Sequence, residues 1–211
     1  WDSLPLEKIM TKADGIEYPK VIDYACGAGH FLTEGFEAVE VCANAINNSE
    51  NSSNQWVEKK IFGIEKDYRL ARVSKISMFM HGAGDGNIIF GDGLENYPDK
   101  EITPKSFDIL VANPPYSVKA FKPHLKLSNN QLDILEKISN DGSEIETLFV
   151  ERISQLLKPN GVMSIAIYSG HEGGMEEKNE VYKYTETLDQ NYFNVLCTKF
   201  INQINNPPEL L

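Results

Sequence analysis

Hydrophobic residues along the chain occur in two patterns, short continuous apolar runs and longer stretches with helical spacing. The continuous runs predict strands at 20–25, 61–65, 87–92, 107–116 and 162–168, with a further strand near 193–201. Apolar residues recurring every three or four positions predict helices at 4–14, 30–46, 67–82, 146–158 and 181–190. Uninterrupted apolar strands are typical of a parallel sheet covered on both faces, so we predict an α/β fold.

The connections between these elements differ in length and composition. Residues 47–55 are polar and of low complexity, which indicates a solvated loop. Residues 117–143 form a long connection of mixed composition with one possible short helix. Connections of this length more often have a function than serve only as linkers. In the helix at 146–158, we expect an apolar stripe to face the core, made of Leu148, Val150, Ile153 and Leu157.

Four polar residues stand where predicted strands end, namely Asp23, Glu65, Asp92 and Asn113. In open parallel sheets, ligands bind beyond the carboxyl ends of the strands. We therefore expect these side chains to converge on one ligand site. A length of 211 residues suits one such domain over 1–211.

The first strand leads into a glycine-containing turn that opens a helix, Asp23-Tyr24-Ala25-Cys26-Gly27-Ala28-Gly29-His30-Phe31. Glycines allow a tight turn and a close approach of the backbone to a ligand. The turn departs from the GxGxxG pattern, and by itself it is compatible with a nucleotide site or with a plain tight turn.

Two further strand ends carry carboxylates suited to a nucleoside. Glu65 can accept hydrogen bonds from both ribose hydroxyls, and Lys66 can lie along one face of an adenine ring. Asp92, followed by Gly93, can accept a hydrogen bond from an adenine amino group. Taken singly, an exposed Glu at a strand end explains Glu65 equally well, and a simple Asp-Gly turn explains Asp92 better than a cofactor contact does.

The sharpest motif is Asn113-Pro114-Pro115-Tyr116 after the apolar run FDILVA. Two prolines remove two backbone donors and leave carbonyl oxygens free. The side-chain carbonyl of Asn113 and the carbonyl of Pro114 can together accept both hydrogens of an amino group, and Tyr116 can stack on a ring. Acceptors on an exocyclic amino group push electron density back onto its nitrogen, which can then attack a sulfonium methyl group.

These motifs resemble those of N6-adenine DNA methyltransferases, closest to the modification subunits of type I restriction–modification systems. DYACGAGHFL resembles their D-P-A-C-G-S-G-x-F/L motif, with Tyr24 in place of the usual Pro, and NPPY matches their catalytic motif. The stretches RLARVSKISMFMHG, NIIFGDGL and ETLFVERISQLLKPNGVMSIAI also resemble these subunits. The resemblance covers about residues 20–170 and implies a Rossmann-like S-adenosylmethionine-dependent methyltransferase fold.

The resemblance also implies roles for individual residues. Glu65 would bind the ribose of S-adenosyl-L-methionine and Asp92 its adenine, with Lys66 and Gly93 beside them. The target adenine, flipped out of the duplex, would be received by the catalytic set Asn113, Pro114, Pro115 and Tyr116. The methionine moiety would be surrounded by the turn residues Asp23, Ala25, Cys26, Gly27, Gly29 and Phe31.

The chain departs from the family at its ends. It has no Phe-Tyr-Thr-Pro-like cofactor motif before the first strand, and no target recognition region follows residue 211. We therefore expect a fragment covering the catalytic domain of a longer protein. The net charge of −11 predicts weak DNA binding by this piece alone, because phosphate contacts need a basic face. DNA would be held by another domain or by a partner, such as a specificity subunit, with a restriction subunit as a further possible partner.

The remaining sequence features point to a cytoplasmic protein. We find neither a signal peptide nor an apolar run of membrane-spanning length, and the three cysteines show no metal or disulfide spacing. We expect no metal site, and interpret His171 and Glu172 as part of a solvated loop. Two alternatives to DNA methylation stay open: methylation of a nitrogen in RNA or on a protein glutamine, and a non-catalytic module that binds cofactor or a partner.

Overall fold

A computed structural model of the chain describes residues 1, 4–47, 54–84, 86–115, 118–142, 145–163, 166–167, 174–191, 194–199, 202 and 209–211. The described chain divides into two compact units, Trp1–Val162 and Met163–Leu211. None of the helices within the described ranges is both long enough and apolar enough to cross a bilayer.

The described residues of the first unit form five α-helices and seven strands. Its helices are α1 (Leu6–Met10), α2 (His30–Asn47), α3 (Val57–Lys60), α4 (Tyr68–Met80) and α5 (Ile145–Leu156). Its strands are β1 (Thr11–Lys12), β2 (Gly15–Ile16), β3 (Val21–Asp23), β4 (Ile61–Glu65), β5 (Asn87–Phe90), β6 (Phe107–Val111) and β7 (Leu157–Val162). The second unit contains β8 (Ala166–Ile167), α6 (Gly174–Glu186) and β9 (Glu209–Leu210), with β8 antiparallel to β9.

Five parallel strands form the central sheet in the order β5-β4-β3-β6-β7. The chain runs outward from β3 through β4 to β5, and then returns to place β6 on the other side of β3. This reversal next to the first strand is typical of doubly wound α/β sheets. The predicted α/β fold with a mostly parallel sheet is confirmed.

Side chains from β3, β4 and β6 alternate between two hydrophobic clusters, one on each face of the sheet. Val21, Ile61 and Ile109 face a cluster that also contains Leu32 and Phe36 of α2 and Met78 of α4. Ile22, Phe62 and Leu110 face a second cluster completed by Leu148 and Leu156 of α5 and by Phe121. The continuous apolar runs in the sequence follow directly from this coverage on both faces.

The predicted helix at 4–14 is wrong in its second half. Helix α1 ends at Met10, and Thr11 and Lys12 pair with Ile16 and Gly15 in a short hairpin. Gly15 has φ of 126°, a conformation that strongly favours glycine. The Asp14-Gly15 pair therefore turns the chain where the helical spacing alone predicted continuation.

The predicted strand at 162–168 is also wrong in its bounds. Strand β7 begins at Leu157, directly after α5, and pairs with β6 through Phe107↔Leu157 and Ile109↔Val162 with a register irregularity between them. Its Pro159 is tolerated because β7 is the last strand in the described sheet, where one backbone edge needs no donor. Ala166 and Ile167 pair with β9 instead.

The last predicted elements differ from the structure as well. Helix α6 begins at Gly174, seven residues before the predicted start at 181, and ends at Glu186. Within the predicted strand near 193–201, the described residues 194–199 contain only one bridge residue, Thr198, and no extended strand. His171 and Glu172 lie outside the described residues.

Candidate functional site

The candidate site lies at the carboxyl edge of the sheet, where β3 and β6 are neighbours. Asp23, the last residue of β3, is in register with Gly63 of β4 and Val111 of β6. The turn at 24–29 leaves β3 at this edge, and Asn113-Pro114-Pro115 leaves β6 beside it. The two predicted motifs therefore flank the crevice that opens where the strand order reverses.

Backbone hydrogen bonds fix the turn after β3. The amide of Ala25 donates to Asp23 Oδ1 at 3.0 Å, and the amide of Cys26 donates to the carbonyl of Ile64 at 3.0 Å. Gly27 and Gly29 have φ of 54° and 88°. A Cβ at Gly29 would lie 2.4 Å from Ser74 Oγ, whereas a Cβ at Gly27 would have no heavy atom of the described chain within 4 Å. Gly29 thus lets α4 approach the turn, and Gly27 borders open space.

Glu65 links this turn to the start of α4. Its Oε2 accepts a hydrogen bond from the amide of Gly27 at 2.8 Å, and its Oε1 accepts one from the amide of Asp67 at 2.7 Å. Asp67 in turn caps α4 by accepting from the amides of Arg69 and Leu70. Each carboxylate oxygen of Glu65 can accept a second hydrogen bond, so the group both positions the turn and remains able to bind hydroxyls.

The residues that follow β5 contact the residues that follow β4. The ammonium group of Lys66 lies 2.7 Å from Asp92 Oδ2, while Asp92 Oδ1 accepts from the amide of Leu94 at 3.1 Å. Gly91 donates to the carbonyl of Glu65 at 2.9 Å. The structure therefore brings Glu65, Lys66 and Asp92 together, as their positions at neighbouring strand ends predicted.

Gly93, in the loop after β5, lies against the backbone of the turn after β3. A Cβ on Gly93 would lie 1.9 Å from the carbonyl oxygen of Tyr24. The ring of Tyr24 is buried and stacks on Phe149 of α5 with centroids 5.4 Å apart. Tyr24, where the resembling family commonly has Pro, thus packs the turn against α5.

Asp23 is a buried carboxyl group at the centre of the edge, with 1% of its surface exposed. Burial raises the pKa of Asp23 to about 7, with the nearby Glu65 charge adding to the effect and the hydrogen bond from Ala25 opposing it. A cation placed beside Asp23 would favour its ionised form. The site is therefore electrostatically suited to a positively charged ligand.

Cys26 and Phe31 take different positions in the turn. The Cys26 thiol is buried 3.8 Å from Ser74 Oγ, and burial raises its pKa to about 12. Its side chain thus belongs to the core, and only its backbone faces the turn. Phe31 is 45% exposed, and its carbonyl accepts a hydrogen bond from the Trp1 indole at 3.1 Å.

The predicted catalytic motif is partly described. Strand β6 ends at Val111, Asn113 and Pro115 are exposed, and Pro114 is half-buried. The predicted strand at 107–116 is therefore too long, because residues 112–115 lie outside the sheet. Tyr116, with its predicted stacking role, lies outside the described residues.

Sequence reasoning missed Arg152, which is fully buried in α5. Its guanidinium donates to the carbonyls of Gly93 and Glu95 and to Asn96 Oδ1, so it holds the loop that follows Asp92. The stripe predicted for this helix was partly wrong, since Val150 is exposed. The missed signal was the spacing of Arg152, four residues from both Leu148 and Leu156, which places a charge on the buried face.

Comparisons with known proteins agree with the motifs. The chain is 26% identical over 199 residues to the type II restriction enzyme and methyltransferase RM.Eco57I of Escherichia coli, covering 71% of this chain and 20% of that protein. It is 23% identical over 200 residues to the type I restriction enzyme MjaIX methylase subunit of Methanocaldococcus jannaschii, covering 91% of this chain and 32% of that protein. The chain thus spans about a fifth to a third of the length of these relatives, and the predicted resemblance to restriction–modification methyltransferases is confirmed.

Solved structures show the same fold at low identity. An rRNA methylase from Streptococcus thermophilus matches with a TM-score of 0.56 and 21% identity over 97% of this chain and 89% of that one. The type I restriction enzyme EcoKI M protein matches with a TM-score of 0.54 and 21% identity over 81% of this chain and 35% of that one. A Listeria monocytogenes protein assigned to the class I S-adenosylmethionine-dependent methyltransferases matches with a TM-score of 0.52 and 17% identity. The match covers 85% of this chain and 48% of that one.

These likenesses define the fold as that of class I S-adenosylmethionine-dependent methyltransferases. In addition, the profile of a protein family described as "Putative rRNA methylase" matches residues 142–211. That match covers α5, β7 and the second unit, and it leaves out the turn after β3 and the Asn113 motif.

The contact between Gly93 and Tyr24 predicts that the two glycines flanking Asp92 tolerate alanine differently. At Gly93 an added Cβ meets a backbone carbonyl, so we expect Gly93→Ala to lower the free energy of unfolding by about 2 kcal/mol or more. At Gly91 it meets the movable hydroxyl end of Tyr97, so Gly91→Ala should cost about 1 kcal/mol. Urea denaturation of both variants measures the difference, and equal losses would contradict the described contact.

The raised pKa of Asp23 predicts a pH-dependent effect of Asp23→Asn on stability. Because the folded state binds this proton more tightly, the contribution of Asp23 is fully present below pH 3.8 and is lost as the pH rises through about 7. Between pH 4 and pH 8, the stability of Asp23→Asn relative to wild type should therefore rise by on the order of 3 kcal/mol. Denaturation at both pH values, with the exposed Asp99→Asn as control, checks this, and a pH-independent difference would refute the raised pKa.

Proposed function

We propose that this chain is the catalytic part of an S-adenosyl-L-methionine-dependent methyltransferase that modifies the exocyclic N6 amino group of adenine in DNA, within a restriction–modification or related system. The observation that carries the proposal is the shared sheet edge, where the carboxylates of Asp23, Glu65 and Asp92 border the crevice next to Asn113-Pro114-Pro115. The similarity to proteins named as restriction–modification methyltransferases supports the choice of DNA.

The residues at this edge fit the cofactor chemically. Gly27 borders open space and has a φ of 54°, so its backbone can approach a ligand closely. Buried Asp23 suits the cationic methionine end, because it ionises readily beside a positive charge. Glu65 keeps acceptor capacity for two ribose hydroxyls, and Asp92 can accept from an amino group when Lys66 moves aside.

The cofactor, when bound, supplies a methyl group on a positively charged sulfur. Asn113 and the carbonyl of Pro114 would accept hydrogen bonds from the two hydrogens of the adenine amino group, raising electron density on its nitrogen. These acceptors would also hold the nitrogen in line with the methyl group, and orientation of this kind is a large part of catalysis in group transfer. We further propose that Tyr116 stacks on the flipped base. The chain needs no strong base, because the methylated amino group loses its proton to water.

The charge of the chain bears on its partners. A net charge of −11 disfavours tight binding to duplex phosphates. We therefore propose that DNA is held by another part of the protein or by a partner subunit of the specificity type, and that this piece performs the transfer. Methylation of an amino group in RNA is the second candidate, because a structure named as an rRNA methylase matches nearly the full length of this chain.

Glutamine at position 65 tests the cofactor site. The amide nitrogen of glutamine cannot accept from Gly27 or Asp67, so we expect Glu65→Gln to weaken binding of S-adenosylhomocysteine by about tenfold or more. Titration calorimetry measures the dissociation constant, and Glu34→Gln, an exposed position on α2, serves as the matched control. Unchanged affinity in Glu65→Gln would remove Glu65 from the site.

Alanine at position 113 tests the catalytic role. We expect Asn113→Ala to lower methyl transfer by about 10²- to 10³-fold, because a preorganised acceptor is lost, while leaving S-adenosylhomocysteine affinity unchanged. The full natural protein is incubated with labelled S-adenosylmethionine and, separately, with DNA, RNA and a protein extract. Asn191→Ala, an exposed asparagine in the second unit, is the control.

The acceptor that takes up label separates the candidate functions. Label in RNA or in protein alone would refute the DNA proposal, and label in DNA that persists in Asn113→Ala would refute the mechanism. Absence of label from every acceptor, together with intact S-adenosylhomocysteine binding, would favour a non-catalytic cofactor-binding module.

A further inference from the structure

A buried polar network joins α5 to the loop that follows Asp92. Arg152, with 0% of its surface exposed, donates from Nε to the carbonyl of Gly93 at 3.1 Å and from one terminal nitrogen to Asn96 Oδ1 at 2.7 Å. Its other terminal nitrogen donates to the carbonyl of Glu95 at 2.5 Å. One side chain thus fixes three positions, Gly93, Glu95 and Asn96, in the loop that begins one residue after Asp92.

Glu95 and Asn96 extend the same network to the long connection that follows the Asn113 motif. The Glu95 carboxylate accepts from the amides of Ser128 and Asn129, the latter at 2.9 Å. The Asn96 amide donates to the carbonyl of Asn129 at 2.9 Å and to Asn130 Oδ1 at 3.3 Å. Asn130 returns a hydrogen bond to the carbonyl of Leu94 at 2.6 Å.

The segment held in this way lines a cleft. A cavity of about 350 Å³ is bordered by leucines of 125–135 and by the polar residues Lys122, Asn130, Gln131 and Glu136. The backbone of the connection is closed at its base, where the amide of Ala120 donates to the carbonyl of Gly142 at 3.0 Å. The network therefore contacts a preformed loop that begins a few residues after Asn113.

Burying a guanidinium to join a helix to two loops carries a large desolvation free energy. Removing an arginine from water costs several kcal/mol, and replacing a buried ion pair by well-packed apolar residues is often neutral or stabilising. Burial lowers the pKa of Arg152 to about 10, and the nearby Glu95 charge opposes that shift. What a guanidinium adds over apolar packing is directional hydrogen bonds that permit a single loop geometry.

We propose that Arg152 is a positioning residue that, together with Glu95 and Asn96, couples the cofactor's adenosine end at Asp92 to residues 128–130 of the connection that follows the Asn113 motif. This inference rests on the proposed function, since it assumes a cofactor at Asp92. Arg152 touches no reacting atom and acts through the backbone of 93–96. Binding at Asp92 therefore stabilises the same loop geometry that holds 128–130.

Two asparagine-to-alanine variants test the coupling, one in the loop that follows Asp92 and one at the start of β5. Asn96→Ala removes the link between Arg152 and Asn129. Asn87→Ala removes an amide at the start of β5 that donates to the carbonyls of Glu58 and Ile61. We expect Asn96→Ala to raise the dissociation constant of S-adenosylhomocysteine by about tenfold, and Asn87→Ala to lower stability while leaving that constant unchanged. Asn130→Ala, which acts from the half-buried far side of the network, should behave like Asn96→Ala and is used if the latter does not fold.

Two measurements distinguish positioning from a general loss of structure. Asn96→Ala combined with Asp92→Asn should be less than additive in its effect on S-adenosylhomocysteine affinity, because the first acts through the second. In amide hydrogen exchange, S-adenosylhomocysteine should protect both 94–97 and 128–131 in the wild type, and Asn96→Ala or Asn130→Ala should lose the protection at 128–131.

The outcomes separate this inference from the proposed function. A wild-type protein that does not bind S-adenosylhomocysteine overturns the proposed function and this inference with it. Binding that weakens equally in Asn96→Ala and Asn87→Ala, additive effects with Asp92→Asn, or protection confined to 94–97 each overturns the coupling alone.

Discussion

The hydrogen bonds of the Glu65 carboxylate are the interaction on which the candidate site depends. One oxygen holds Gly27 in the turn after β3, and the other holds Asp67, which caps α4. Two adjacent βα connections are thus fixed to a single strand end. The positive φ of Gly27 and the close approach of Gly29 to Ser74 follow from this arrangement, because the turn must fold tightly against the start of α4. The space bordered by Gly27 is a consequence of the same constraint.

Around this centre, the chain buries ionisable groups on both sides of the crevice. Asp23 lies under the turn without a basic partner among its contacts in the described residues, and its pKa rises to about 7. Arg152 lies under the neighbouring loop, and all three of its guanidinium nitrogens donate to carbonyl or amide oxygens. The two buried groups have different consequences for the site. A satisfied guanidinium defines one geometry, whereas a buried carboxyl group without such a partner is poised to respond to an arriving positive charge.

The sequence predicted the sheet better than its surroundings. The apolar runs at 61–65 and 107–111 were recognisable because both faces of a parallel sheet are covered, and the glycines of the turn were recognisable because few residues adopt their backbone angles. The hairpin at 11–16 was missed because a local Asp-Gly turn outweighs helical spacing. The role of Arg152 could not be predicted from spacing alone, because the loop residues that it holds, Gly93, Glu95 and Asn96, lie 56 to 59 residues away in the sequence. Strand β7 was misplaced because its pairing with β6, and not its composition, sets where it begins.

In the ion pair between Lys66 and Asp92, the ammonium group of Lys66 competes with any ligand that would bind Asp92. Lys66 is mostly exposed, and Asp92 is mostly covered, so the ammonium group closes over a carboxylate from the solvent side. An incoming ligand that uses Asp92 must first displace this tethered cation, and an exposed pair of this kind is worth about 1 kcal/mol or less. Ionic strength therefore acts on the chain in two opposite directions. Added salt weakens the attraction of the site to any charged ligand. It also weakens the ion pair between Lys66 and Asp92, which makes Asp92 easier to reach. The affinity of the site should therefore vary with salt less steeply than its number of charged groups suggests.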